Sequence, residues 1–264
     1  MNSRKKQLEL IDQLLTIIDE LRSKCPWDKK QTFETLRSLT IEETHELSDA
    51  ISEKNFNGIK SELGDLLLHI LFYSKIASEK KEFDIGDVAE AICNKLVYRH
   101  PHIYGNVNVE DEDEVKRNWE SLKLKDGNVS VFSGIPSTLS EIIKSQRIQD
   151  KAAGVGFEWK KLEDVWNKVK EEENEFLEAV KEKNKSCMEE EFGDLIFSLI
   201  NYARFVKIDP DMALKKTNKK FIERFQYMEK TVKSENNLIQ SLNLDELIIL
   251  WGEAKKIFKT NFFH

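Results

Sequence analysis

The sequence contains little proline, glycine or cysteine. Only 4 prolines and 10 glycines occur in 264 residues, about 5% together against roughly 12% in an average protein. Both residues interrupt regular structure, whereas the abundant leucine, isoleucine, glutamate and lysine suit helices. The composition therefore predicts an all-α protein. The length allows two domains, because domains commonly contain about 100 to 200 residues.

Long apolar runs and paired cysteines are also missing. The best apolar run, Leu66 to Phe72, is too short to span a bilayer, and the amino terminus lacks the unbroken apolar core of a signal peptide. Cys25, Cys93 and Cys187 are too far apart for a disulfide framework or a zinc cluster. We expect a soluble protein of the reducing cytoplasm that does not associate with a membrane.

The chain has no excess of positive charge. Its formal net charge is -7, with 34% charged residues. A nucleic-acid partner is disfavoured, because binding to a phosphate backbone depends on a basic surface. A small anionic ligand would need a local basic patch or a bridging cation.

Apolar residues recur at helical spacing in eight segments. They are residues 8–21, 33–51, 59–76, 88–97, 165–180, 189–206, 212–228 and 244–258. Thr40, ahead of an acidic pair, and Asp209, ahead of Pro210, are predicted to cap helix starts. The segment from Lys125 to Pro136 contains two glycines and is predicted to be a linker.

The two sides of that linker repeat one another. Residues 42–46, Glu-Glu-Thr-His-Glu, recur as Glu-Glu-Glu-Asn-Glu at 171–175, and Glu-Leu-Gly-Asp-Leu at 62–66 recurs as Glu-Phe-Gly-Asp-Leu at 191–195. Residue 171 follows 42, and 191 follows 62, by the same 129 positions. This offset indicates a tandem duplication of one helical module. The predicted domains are residues 1–125 and 138–264, joined by a linker at 126–137.

The repeated carboxylates can form metal sites. Residues three or four apart share a helix face, so Glu172 and Glu175 are neighbours on one helix, and Glu191 and Asp194 on the next. Packing those faces together would gather carboxylates that repel one another unless a cation neutralises them. Oxygen ligands without cysteine or histidine suit Mg²⁺, or Mn²⁺ in its place. The corresponding residues of the first repeat are Glu43, Glu46, Glu62 and Asp65.

Two other interpretations of these residues deserve comparison. A glutamate run is usually a solvated helix face, but apolar residues around Asp65 and Asp194 suggest a buried stretch in which an unpaired charge would be costly. The spacing Glu42-x-x-His45 is also that of di-iron proteins. The duplicate does not support a di-iron site, because Asn174 replaces the histidine.

Basic and aromatic residues repeat after the acidic motifs. Lys220 and Arg224 are four positions apart, so both can contact one ligand, and their side chains suit phosphate oxygens. Lys95 and Arg99 repeat this pair, and ordinary surface ion pairing is the alternative for both. Trp251, which matches Trp119 of the first repeat, can either stack on a base or close a core.

These motifs together resemble a known family. Glu-Glu-x-x-Glu followed by Glu-x-x-Asp is similar to the all-α nucleoside triphosphate pyrophosphohydrolases, and the doubled module resembles bacterial MazG. Further family-like segments are Cys-Pro-Trp-Asp at 25–28, Arg-His-Pro-His at 99–102 and Val-Gly-Phe-Glu-Trp at 155–159. The resemblance covers nearly the whole chain.

The resemblance implies hydrolysis of nucleoside triphosphates, ATP among them, to the monophosphate and pyrophosphate. It implies that Mg²⁺ is held by Glu172, Glu175, Glu191 and Asp194, with Lys168, Glu171, Lys220, Arg224 and Trp251 at the substrate. We expect Glu171 or Glu172 to orient the attacking water as a base. Glu43, Glu46, Glu62, Asp65, Lys95 and Arg99 form a second possible site.

The resemblance also points to a homodimer. A metal-bearing helix pair is only half of a four-helix core, which equally favours pairing with a second subunit. The alternative to an enzyme is a nucleotide sensor or helical interaction module that uses the same site without hydrolysis.

Overall fold

The computed structural model describes residues 1–109, 111, 114, 115, 118, 119, 122, 130–234 and 236–259. Within these residues it contains ten α-helices and no β-strand, which confirms the all-α prediction. The chain forms two compact units, Met1–Val115 and Lys116–His264. Part of the predicted linker, residues 126–129, lies outside the described residues, so the predicted domain limits stay a prediction.

In the part of the chain that the structure describes, the first unit contains five helices with defined bounds. They are α1 (Arg4–Lys24), α2 (Phe33–Ser52), α3 (Phe56–Glu79), α4 (Ile85–Arg99) and α5 (Pro101–Tyr104). Helices α1, α2 and α4 all pack against α3. Their apolar faces meet in a buried cluster. The removal of this apolar surface from water stabilises the packing of the helices. The cluster consists of Ile18, Leu36, Leu71, Phe72 and Ile76.

The second unit also contains five helices among its described residues. They are α6 (Glu141–Gly154), α7 (Leu162–Glu182), α8 (Lys185–Phe205), α9 (Pro210–Ser234) and α10 (Leu244–Lys259). Helix α8 lies at the centre, because α6, α7 and α9 all pack against it, and α10 packs on α9. On α7 the buried residues Val165, Val169 and Glu172 follow a four-then-three spacing, which is one helix face.

The two predicted helix starts have different outcomes in the structure. Thr40 does not cap a helix: it lies within α2, and its hydroxyl donates a hydrogen bond to the carbonyl of Leu36 at 2.9 Å. The cap of α2 is Thr32, whose hydroxyl accepts a hydrogen bond from the Thr35 amide. Asp209 does cap α9, as predicted, by accepting a hydrogen bond from the Met212 amide at 3.0 Å.

Each unit contains a tight hairpin between the two helices that carry the acidic motifs. Lys54 and Lys183 have positive φ angles of 54° and 57°, which reverse the chain direction at some conformational cost. The next residues cap the following helix: Asn55 accepts from the Gly58 amide at 3.0 Å and Asn184 from the Cys187 amide at 3.4 Å. These turns fix the register of α2 against α3 and of α7 against α8.

Two expectations from composition can be compared with the structure. Cys25, Cys93 and Cys187 are free thiols, as their spacing predicted. Among the helices that the structure describes, none combines the length and the apolar character needed to cross a membrane.

Candidate active site

Helices α7 and α8 bring acidic side chains of the second unit together. Carboxylate oxygens of Glu172 and Glu175 on α7 and of Glu191 on α8 all lie within 4.8 Å of one another. Glu172 is only 7% exposed, because it lies on the buried face of α7. Close by, the rings of Phe176 and Phe192 pack with centroids 5.4 Å apart and join the two helices. Three of the four carboxylates that were predicted to lie together thus meet in the structure.

Asp194 lies near the cluster but is not one of the three residues whose oxygens meet. Its side chain is exposed, as is that of Phe192. The expectation of a buried stretch around Asp194 is therefore wrong for this chain, since its neighbours on α8 leave one face open. Among the clustered carboxylates of the second unit, Glu172 is the buried one. Asp65 of the first unit is half-buried.

The cluster carries more negative charge than its surroundings neutralise. Partial removal of water raises the pKa of the Glu175 carboxyl, and the charges of Glu172 and Glu191 raise it further. Loss of hydration likewise raises the pKa of Glu191, followed by the charges of Asp194 and Glu172. Each group is thus harder to ionise than an isolated carboxyl. An arrangement of this kind favours a bound cation.

Lys168 supplies one positive charge at this cluster. Its Nζ lies 2.6 Å from Glu171 Oε1 and 2.7 Å from Glu172 Oε1. These hydrogen bonds raise the pKa of the Lys168 ammonium, so it stays charged at neutral pH. The structure therefore brings Lys168 and Glu171 to the acidic cluster, and the contacts with substrate that the resemblance implies for them stay predictions.

The first unit repeats the cluster without the lysine. Carboxylate oxygens of Glu43, Glu46 and Glu62 lie within 4.8 Å of one another. Burial raises the pKa of Glu43, and the negative charge of Asp65 adds to the effect. At the offset of 129, however, the position of Lys168 is taken by Leu39, which packs against the apolar core.

The basic residues predicted to contact substrate lie on other helices. Lys220 and Arg224 are on α9, and Arg224 lies over the ring of Trp251 on α10, with 5.7 Å between its guanidinium carbon and the ring centroid. None of these three residues lines the cavity beside the acidic cluster. Lys95 and Arg99 share helix α4 of the first unit. The substrate roles of all five residues stay predictions.

A cavity of about 560 Å³ adjoins the acidic cluster of the second unit. The charged residues Lys168, Glu172 and Asp194 form one of its walls. The other walls are mainly apolar and aromatic, with a few polar side chains. They include Ile148, Gln149, Ala152, Phe157, Trp159, Phe197, Asn201 and Arg204. In the sequence, residues 155–159 are a family-like segment, and nothing in that segment predicts a cavity.

Two interactions hold loop residues at the cavity. Arg204 Nη2 lies 2.6 Å from Glu158 Oε2, which fixes the loop between α6 and α7. The buried Lys151 of α6 donates hydrogen bonds to the carbonyls of Val131 and Ser133 at 2.9 and 3.1 Å. These bonds keep Phe132 in the cavity wall. In the sequence, Lys151 is one of several charged residues of α6, so its hydrogen bonds to residues 131 and 133 could not be predicted.

The corresponding position in the first unit is filled. At the offset of 129, Asn201 corresponds to Phe72, which is 2% exposed and belongs to the core cluster. Ser198 corresponds to His69, which is buried and lies 3.2 Å from the Thr40 hydroxyl. The two units thus share an acidic cluster but differ in the side chains beside it.

The protein is all-α and has a cluster of three carboxylates on each of two helical hairpins. Proteins of this class can bind hard divalent cations and, with them, phosphate ligands. The family description "MazG nucleotide pyrophosphohydrolase domain" matches residues 31–104 and 161–228. The chain belongs to the MazG nucleotide pyrophosphohydrolase family. This confirms the predicted resemblance and the predicted enzyme class.

Curated relatives align over nearly the full length. The chain is 37% identical over 255 residues to the nucleoside triphosphate pyrophosphohydrolase of Escherichia coli K12, covering 93% of this chain and 97% of that protein. It is 39% identical over 251 residues to the nucleoside triphosphate pyrophosphohydrolase/pyrophosphatase MazG of Thermotoga maritima, covering 93% and 96%. An uncharacterized protein of Bacillus subtilis, YabN, is 43% identical over 247 residues, covering 91% of this chain and 50% of that protein.

Proposed function

We propose that this chain hydrolyses nucleoside triphosphates to monophosphates and pyrophosphate with Mg²⁺, and that the second unit carries the active site. The cluster of Glu172, Glu175 and Glu191, with oxygens within 4.8 Å of one another, carries the proposal. The two near-full-length relatives named for this reaction support it.

The donor set fits a hard divalent cation. All its ligands are carboxylate oxygens. Partial removal of water, followed by the negative charge of neighbouring carboxylates, raises the pKa of Glu175 and of Glu191. Glu172, Glu175, Glu191 and Asp194 would hold Mg²⁺, and Mn²⁺ could replace it. When bound, the ion would supply positive charge beside the phosphates and the leaving pyrophosphate.

Lys168 and Glu171 would act on the substrate next to that ion. The Lys168 ammonium has three N–H donors and uses two on Glu171 and Glu172, so a phosphate oxygen can take the third. Glu171 is exposed and is not part of the three-carboxylate cluster. It is therefore better suited than Glu172 to accept the proton of the attacking water.

The remaining substrate contacts would come from α9 and α10. Lys220 and Arg224 would bind phosphate oxygens, and Trp251 would hold the Arg224 guanidinium by a cation–π contact. Because these residues do not line the cavity of their own chain, we propose that they act across a homodimer. Three free thiols support a reducing, cytoplasmic setting.

The first unit would provide a second cation site. Glu43, Glu46 and Glu62, with Asp65 nearby, repeat the ligand set, and Lys95 and Arg99 repeat the basic pair. Leu39 in place of Lys168 removes one contact to substrate. We therefore propose that the second unit performs most of the hydrolysis.

The direct test is product analysis with the purified chain, Mg²⁺ and each nucleoside triphosphate. We expect a monophosphate and pyrophosphate, and a loss of kcat of at least about 100-fold in Glu172→Gln, because a ligand and charge at the reacting phosphate are removed. Glu178→Gln, at an exposed glutamate of the same helix, is the matched control and should keep full activity. Glu43→Gln measures the share of the first unit.

Three results would contradict the proposal. Full turnover by a folded Glu172→Gln variant would remove the assigned site. Release of single phosphates would indicate a phosphatase. Tight triphosphate binding without any product would favour a nucleotide sensor.

A further inference from the structure

Lys168 holds a positive charge directly against the acidic cluster of the second unit. Its Nζ lies 2.7 Å from Oε1 of Glu172, and Glu172 is the buried member of that cluster. A second hydrogen bond of 2.6 Å joins the same ammonium to Glu171. The lysine is therefore fixed at a carboxylate that a cation in the cluster would also need.

The pair of Lys168 with Glu172 differs from an ordinary surface ion pair. Exposed pairs contribute little, because water screens both charges. The Glu172 side chain is only 9% exposed and that of Lys168 37%, so water screens this pair less than a pair on the surface. The spacing of four residues on α7 brings both side chains to one helix face. Lys168 therefore keeps its position without any distortion of the helix.

The charge of Lys168 acts on the whole cluster. Carboxylate oxygens of Glu172, Glu175 and Glu191 all lie within 4.8 Å of one another. A unit charge held at Glu172 is therefore close to any cation that the three carboxylates bind. A unit charge and a divalent ion at this range repel strongly enough, even with water-like screening, to change the affinity for the ion about tenfold.

The cluster of the first unit has similar ligands without this charge. Carboxylate oxygens of Glu43, Glu46 and Glu62 also lie within 4.8 Å of one another. Leu39 takes the position of Lys168 and packs against the apolar core. Among the residues that the structure describes, no lysine or arginine forms an ion pair with these three glutamates. The two clusters therefore differ in the charge that a cation would meet.

We propose that Lys168 lowers the affinity of the second cluster for a divalent cation alone, so that this cluster takes its cation together with a triphosphate. The cluster of the first unit binds a divalent cation without nucleotide. In the second unit the phosphates supply the negative charge that offsets Lys168, and one phosphate oxygen accepts its remaining N–H. This role of Lys168 rests on the proposed function, because the cation and the triphosphate are those of the proposed reaction.

The test measures binding of Mn²⁺ alone to the full chain, from the electron paramagnetic resonance signal of the free ion. Glu43→Gln and Glu46→Gln neutralise the first cluster, so that the second is measured by itself. In this parent chain we expect Lys168→Met to bind Mn²⁺ about tenfold more tightly, because the opposing charge is removed. Methionine is unbranched and can follow the path of the lysine stem. Lys168→Gln also removes the charge and should behave alike.

Two further substitutions in the same parent chain serve as controls. Lys168→Arg keeps the positive charge and should keep the weak binding. Lys170→Met removes an exposed lysine of the same helix, which lies on another face because it is two positions away. It should leave the affinity for Mn²⁺ unchanged. An equal gain of affinity in Lys170→Met and Lys168→Met would indicate an effect of net charge and would overturn the role assigned to Lys168.

The first cluster is measured in a chain whose second cluster is neutralised by Glu172→Gln and Glu175→Gln. We expect it to bind Mn²⁺ more tightly than the second cluster does with Lys168 present. A ligand that binds the folded state stabilises that state. Mg²⁺ without nucleotide should therefore slow hydrogen exchange in α2 and α3 of the wild-type chain. Glu43→Gln should remove this protection, whereas Glu172→Gln should retain it.

The outcomes separate this role from the proposed function. If folded Lys168→Met and Lys168→Gln bind Mn²⁺ no more tightly than their parent chain, Lys168 does not oppose the cation, whatever the chain hydrolyses. Tighter binding by the second cluster than by the first, with Lys168 present, would lead to the same rejection. If neither cluster binds Mn²⁺ at millimolar concentration in any variant, the proposed cation sites fail as well. If the affinities change as expected but no triphosphate is hydrolysed, the proposed function fails and the role of Lys168 stands.

Discussion

Single residues determine how the two acidic clusters differ. Both hairpins place three glutamates together, yet Lys168 of the second unit corresponds to Leu39 of the first, and Asn201 corresponds to Phe72. Of the two hairpins, it is therefore the one in the second unit that has a lysine beside the carboxylates and an open cavity next to them. The chemistry follows these neighbours rather than the carboxylates alone.

An ion pair in the first unit gives a pH-dependent contribution to stability. Arg22 donates hydrogen bonds to Glu79 through Nε at 2.9 Å and Nη2 at 2.8 Å, which lowers the pKa of the Glu79 carboxyl below its ordinary value of 4.5. Because the folded pKa is the lower one, this stability is present above 4.5 and is lost as pH falls through the folded pKa.

We therefore expect Glu79→Gln to destabilise the first unit at pH 7, with a difference that shrinks as the pH is lowered below the ordinary carboxyl pKa. The carboxylate is 39% exposed, so solvent screening limits the expected loss to about 1 kcal/mol. Denaturant unfolding or hydrogen exchange of α1 and α3 measures it. Glu20→Gln, which breaks only the exposed pair with Lys24, is the control. An equal loss in both variants, or no pH dependence, would contradict this account.

At the scale of helices, each acidic motif contains a glycine that the chain's own packing does not require. A Cβ atom added at Gly64 or Gly193 would meet no atom within 4 Å. Since glycine within a helix is less favourable than alanine, Gly64→Ala and Gly193→Ala are each expected to stabilise the chain by about 0.5 to 1 kcal/mol. Thermal and denaturant unfolding test this expectation.

A third glycine on the same helix serves as the control. At Gly58 a Cβ would lie 2.9 Å from Asn55 Nδ2 and 3.1 Å from Ala50 Cβ, so Gly58→Ala should not stabilise and should disturb the hairpin cap. If Gly64→Ala were destabilising instead, a surface outside this chain must pack against that glycine.

Sequence periodicity predicted the helices that carry the acidic residues and the groups they form. The constant offset of 129 identified both clusters, and the three- and four-residue spacing placed Glu172, Glu175 and Glu191 together. A repeated Lys-Asn pair, at 54–55 and 183–184, is a further sequence signal for the two hairpins. The pair indicates both the turn, at the lysine, and the capping residue, the asparagine.

The sequence did not predict α6 or the cavity. Charged residues interrupt the apolar pattern of α6, which includes Lys144, Arg147, Asp150 and Lys151, so periodicity alone gives a weak signal there. A cavity arises where side chains fail to fill space, and Asn201 looks like any polar residue of an amphipathic helix. Its importance becomes visible only beside Gln149 and Arg204, which are distant in sequence.

For the whole molecule, exposed apolar residues on α7 and α8 support the predicted dimer. Leu177, Phe192, Ile196 and Leu199 are all exposed. A set of large apolar side chains on one helix pair indicates a surface that another protein covers. We therefore expect a homodimer at micromolar concentration, and we expect Leu199→Glu to shift it toward monomer, because burying the new charge in an interface would be costly.

Sedimentation velocity of both proteins tests this expectation. Leu238→Glu places the same charge on an exposed leucine outside α7 and α8 and should leave the assembly unchanged. A wild-type chain that sediments as a monomer would rule out the dimer. Equal dissociation by both substitutions would show that this helix face is not the interface.

The difference between Asn201 and Phe72 also bears on the design of selective inhibitors. A compound that joins an aromatic ring to a metal-chelating group would need both an open cavity and an acidic cluster. The position that corresponds to Asn201 in the first unit is filled by Phe72, which is buried in the core. Such a compound would silence the second unit while leaving the carboxylates of the first accessible, which would separate their contributions in the unmutated protein.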